Sequence, residues 1–61
     1  MFIAKDKSGT VLISVNKPER MMAHWRALDN QYMIMNARYA ETMFPDLKWE
    51  DEPKEIILNL N

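Results

Sequence analysis

The chain has 61 residues, a mass of 7.3 kDa, no cysteine, one histidine and a formal charge of −1, so it holds a single small domain over residues 1–61 and can build neither a disulfide nor a Cys/His zinc site. With 48% apolar and 28% charged residues it has the composition of a folded globular protein, and a charge near zero argues against a general nucleic-acid binder. No apolar run approaches the roughly 20 residues of a membrane span, and the opening Met1-Phe2-Ile3-Ala4-Lys5 is too short for a signal peptide, so the expected setting is that of a complete cytoplasmic polypeptide.

Phe2 to Val15 reads as a β-hairpin. Asp6-Lys7-Ser8-Gly9 supplies the turn, because Asp bonds its own backbone and the single glycine is free to take a positive φ. Val11, Ile13 and Val15 alternate with Leu12 and Ser14 in the period of a half-buried strand, and Pro18 ends it by offering no ladder donor.

Residues 19–35 carry two readings. Met21, Trp25, Leu28, Tyr32 and Met35 recur at helical spacing, with Pro18 in the first turn of such a helix. The polar cluster Asp29-Asn30-Gln31 instead suits a turn between two strands, one placing Met21, Ala23 and Trp25 on one side and the next formed by Tyr32-Met33-Ile34-Met35. Asn36 is an N-cap for a short helix over 37–43, which Pro45 must stop. A proline-bracketed irregular segment covers 44–53. Ile56, Leu58 and Leu60 share one face of a strand over 54–60.

Charge is spread unevenly. Lys5, Lys7, Lys17, Arg20, Arg26 and Arg38 outweigh Asp6, Glu19 and Asp29, leaving +3 over residues 1–40 and −4 over residues 41–61. This split lets the last strand settle beside a basic neighbour, or presents a basic and an acidic face to separate partners.

Catalysis needs a nucleophile or base beside an orienting partner. His24 lies next to Trp25 and Arg26 rather than opposite a carboxylate, and no serine or threonine has a nucleophile-elbow context. Glu50-Asp51-Glu52 lacks the spacing of a calcium loop and reads as a solvated acidic segment. No enzyme activity, cofactor or metal is expected. Trp49, amid charged neighbours, reads either as an exposed anchor or as a core side chain. Six methionines, four of them within 21–35, suit either irregular packing or an adaptable binding surface. If 20–35 are strands, both faces of that part of the sheet are apolar and the short helix can cover one, so a second copy of the chain is the economical cover for the other.

The opening Phe2-Ile3-Ala4-Lys5-Asp6-Lys7-Ser8-Gly9, the Lys17-Pro18 pair and the closing Phe44-Pro45-Asp46-Leu47-Lys48-Trp49-Glu50-Asp51-Glu52-Pro53 resemble a group of very short uncharacterised proteins of gut bacteria and their phages. The resemblance covers the two ends, about half of the chain. It implies strands rather than a helix over 20–35 and a phage or mobile-element setting, and it lends no catalytic or binding residues. The segment Asn36–Met43 departs from the pattern as an added helical turn or two.

The expected architecture is thus a small α+β domain: one antiparallel sheet made of the hairpin 2–15, middle strands near 20–35 and the C-terminal strand 54–60, with one helix near 37–43 on a face. The expected function is a non-enzymatic protein–protein interaction module, with Trp25, Tyr32, Met33, Met35 and Trp49 as the candidate binding residues and a homodimer as one form of partner. The alternative is a nucleic-acid-associated regulator with Arg20, Arg26 and Arg38 on phosphates and Trp25 or Tyr32 stacked on bases.

Overall fold

The computed structural model describes residues 1–57. Among them six strands and one helix follow in chain order: β1 (Phe2–Lys5), β2 (Val11–Ser14), β3 (Glu19–Arg20), β4 (Trp25–Arg26), β5 (Tyr32–Met35), α1 (Ala37–Met43) and β6 (Lys54–Glu55). An antiparallel sheet runs in the order β5-β2-β1-β6, and β3 pairs with β4 in a separate ribbon. The class is α+β with an antiparallel sheet.

The hairpin forms where its turn chemistry puts it. Asp6 N–H donates to the Thr10 carbonyl at 2.8 Å, Gly9 N–H donates to the Asp6 carbonyl at 2.9 Å, and Gly9 takes φ +101°, a region L side chains rarely enter. Pairing then runs from Lys5↔Val11 to Phe2↔Ser14. Side chains alternate across the sheet, so β1 and β2 must be covered on both faces. On one face Ile3 and Val11 meet Ala40 of α1 and Leu47, with Ile13, Met35, Phe44 and Ile56 packed around them. On the other, Ala4 and Leu12 meet Trp25, flanked by Ala27 and Trp49.

A seven-residue helix does not persist alone. Here Asn36 caps it, its side-chain oxygen accepting from Tyr39 N–H at 3.0 Å, and Ala40 anchors it in the core. Phe44 closes it by donating to the Ala40 carbonyl, just before Pro45.

The middle segment differs from the expected pair of strands in one sheet. Only β5 joins the main sheet; residues 19–26 double back as the β3–β4 ribbon, and neither a continuous strand nor the helix-period stripe is realised. The cause lies in the first hairpin. Asp6 Oδ1 accepts Trp25 N–H at 2.8 Å and Lys7 N–H donates to the Ala23 carbonyl, which ties the ribbon across the turn. Met21 N–H donates to the His24 carbonyl at 2.8 Å, closing a tight bend at Met22-Ala23. The ribbon-side face of β1 and β2 is consequently covered by Trp25 and Trp49 of the same chain. The break at Asp29-Asn30-Gln31 is present, Asp29 Oδ1 accepting Gln31 N–H at 2.8 Å. Of the strand expected over 54–60, β6 accounts for Lys54–Glu55, Ile56 N–H adds a bond to the Met1 carbonyl, and 58–60 lie outside the described residues.

Candidate interaction surface

The candidate binding residues separate into two places. Trp25 and Trp49 converge under the ribbon, with ring centroids 6.0 Å apart in an edge-to-face pair. Trp25 is only 5% exposed, and its Nε1–H donates to the Lys5 carbonyl at 3.0 Å. Its polar handle is therefore satisfied and its ring is a core side chain, not a docking anchor. Arg20 lies against both rings, its guanidinium carbon 4.3 Å from the Trp25 centroid and 4.6 Å from that of Trp49. Its Nη1 donates to the Trp49 carbonyl at 2.8 Å, while Nη2 reaches the Glu50 and Asp51 carbonyls at 3.3 and 3.1 Å. A planar fork that satisfies three successive carbonyls fixes the loop 49–51 on the ribbon. The nucleic-acid alternative placed Arg20 on phosphate and missed this role, for which the sequence carries no signal because Trp49 lies 29 positions away. Arg26 pairs with Glu19 at 2.7 Å.

Tyr32 and Met33 lie on β5, at the edge of the described sheet, with Ile34 between Met33 and Met35. Tyr32 is 51%, Met33 61% and Ile34 54% exposed. Because opposed residues share a face, Met33 sits on the helix side beside Ile13, and Tyr32 and Ile34 sit on the ribbon side beside Ser14 and Leu12. Met35 packs against the helix-side core. A depression of about 550 Å³ opens between Met1, Ile13 and Met33. The strand Tyr-Met-Ile-Met has no charge and no proline, and among the described residues no strand pairs with its outer side, so the usual protections of a sheet edge are missing there. Ile34 was not singled out from sequence.

The phase of the backbone pairing is fixed. Val15 N–H donates to the Gln31 carbonyl, and the register Ile13↔Met33 and Val11↔Met35 continues the same odd-numbered series. In an antiparallel ladder, alternate residues bond to the same neighbour, so the amides and carbonyls of Tyr32 and Ile34 point away from β2, towards the open edge.

His24 is exposed in the ribbon bend. Asp51 accepts Lys48 N–H at 3.0 Å, which turns the acidic loop into a local cap, and among the described residues no three His, Asp or Glu side chains gather as a metal-binding group. No described helix is long and apolar enough to cross a membrane. No family model, curated protein or solved structure shows a significant match to the chain.

Proposed function

We propose that the chain is a non-enzymatic protein–protein interaction module that receives a strand along the β5 edge. The observation that carries this reading is the coincidence, on one four-residue strand, of three side chains more than half exposed and outward-directed backbone groups at Tyr32 and Ile34. Strand addition uses both: main-chain bonds supply affinity, and alternate side chains supply selection on the two faces. A phage or mobile-element setting is the one implied by the resemblance of the two ends to short phage and gut-bacterial proteins. The nucleic-acid alternative has less to work with, since Arg20 and Arg26 already hold protein groups, leaving Arg38 and Tyr32 for the contacts it requires.

The test is site-specific photo-cross-linking in host cells. A photoreactive phenylalanine analogue at Met33 should capture a discrete protein species, whereas the same group at Met22, at the ribbon tip and 96% exposed, should not. Equal capture from both positions, or none from Met33, would remove the edge as the functional surface.

A further inference from the structure

We propose that the strand received by β5 is β5 of a second copy of this chain, paired antiparallel about a two-fold axis at Met33. This deepens the interaction-module reading and rests on it.

A two-fold axis perpendicular to the sheet returns each face to itself. Directly opposed residues must then both be even-numbered or both odd-numbered, which leaves the four residues of β5 as possible centres; with the axis at Met35, Ile34 and Tyr32 would face Asn36 and Arg38, the cap and first turn of α1. With the axis at Met33, Tyr32 lies opposite Ile34 of the second copy, and these are the residues whose amides and carbonyls point outward. Each such pair exchanges two bonds, so every outward group of the two strands' Tyr32 and Ile34 is matched. With the axis at Ile34, Tyr32 would face Asn36, whose carbonyl already accepts Ala40 N–H at the start of α1. With the axis at Tyr32, Ile34 would face Asn30, in the bend outside the strand.

The side chains agree with the Met33 centre. On the helix side Met33 meets Met33, and on the ribbon side each Tyr32 lies beside an Ile34, so the three exposed apolar residues of the edge cover one another. Charge decides the direction. Asp29 precedes β5 and Arg38 follows it, so antiparallel pairing lays the acidic end of each copy beside the basic end of the other, whereas parallel pairing would set Asp29 by Asp29 and Arg38 by Arg38. Four residues a side make an interface smaller than the ~1,200 Å² of a standard one, which sets the expected association in the micromolar range or weaker.

The absence of cysteine makes a direct test available. In this register the Met33 pair is non-hydrogen-bonded, with Cα atoms about 4.5 Å apart, within the span a disulfide bridges. The two Ile34 residues are offset by two positions, roughly 7–8 Å or more. Met33→Cys should therefore oxidise to a covalent dimer at least tenfold faster than Ile34→Cys or the surface control Met22→Cys at the same concentration. Faster bridging of Ile34→Cys would overturn the register, and equal rates for all three would overturn the pairing. Sedimentation equilibrium gives a second reading. Wild type at ~100 µM should exceed 7.3 kDa, while Ile34→Pro, whose ring replaces an N–H that β2 does not use, should sediment as monomer. If Ile34→Pro loses its circular-dichroism signature, Ile34→Lys takes its place, because a charged edge residue blocks pairing equally. A monomeric wild type, with photo-cross-linking from Met33 to a polypeptide of different mass, would refute self-pairing and leave the interaction-module reading standing; no cross-link from Met33 at all would end both.

Discussion

Removing the Arg20 side chain measures how much of this small fold rests on one guanidinium. Arg20 makes three bonds to the carbonyls of residues 49–51 and two ring contacts, all in one cluster. Arg20 is exposed, so about 0.5 kcal/mol per hydrogen bond and roughly 0.5 kcal/mol per ring contact are suitable shares. Members of one network do not add fully, and the expected loss for Arg20→Ala is about 2 kcal/mol. A domain of this size commands only ~3–5 kcal/mol in all, so the urea midpoint should fall by roughly half. Arg20→Lys keeps the charge without the fork and should lose about 1 kcal/mol. Arg26→Ala, which breaks one exposed pair with Glu19, should change stability by less than ~0.5 kcal/mol. Urea unfolding followed by tryptophan emission is the assay, since both indoles report on this cluster. Equal midpoints for Arg20→Ala and Arg26→Ala would refute the reasoning, because the two arginines would then be equivalent surface charges.

Two further outcomes follow from single residues and a third from the charge balance. Gly9→Ala should cost about 1–2 kcal/mol, since Gly9 holds φ +101° and an added Cβ would lie 3.2 Å from the Ala37 Cβ; thermal unfolding should show a drop of several degrees. Asn36→Ala removes the acceptor for Tyr39 N–H and should lower stability by about 1 kcal/mol, read as reduced helical ellipticity and an earlier thermal midpoint. Binding to single- or double-stranded DNA or RNA, followed by fluorescence anisotropy, should be weak at ~0.05 M salt and lost near ~0.2 M, and submicromolar binding at the higher salt would favour the nucleic-acid alternative.

What could be read from sequence was what local chemistry decides. The Asp6–Gly9 turn, the Asn36 cap and the Pro45 stop each act within a few residues, and the hairpin and α1 follow from them. The ribbon was not legible because its cause is long-range: Asp6 accepts Trp25 N–H across nineteen positions of sequence, and nothing in the spacing of Met21, Trp25 and Leu28 announces that contact. Apolar character on both faces was assigned to residues 21–35, whereas the fully covered strands are β1 and β2. Trp25 stood among the candidate binding residues, whereas its Nε1–H donates to the Lys5 carbonyl and its ring is buried. The β5 edge was half legible: Tyr32 and Met33 stood out by residue type, while Ile34, the residue whose outward backbone matters most, has no distinguishing chemistry in a sequence.

The central claim concerns which backbone groups of β5 are open, and residue-resolved amide hydrogen exchange across a dilution series tests it directly. In dilute solution the amides of Tyr32 and Ile34 should exchange rapidly, while those of Met33 and Met35, bonded to β2, stay protected. Raising the concentration through the micromolar range should slow Tyr32 and Ile34 together and leave Met33 and Met35 unchanged. Protection at Tyr32 and Ile34 that does not depend on concentration, or rapid exchange there at every concentration, would contradict the account.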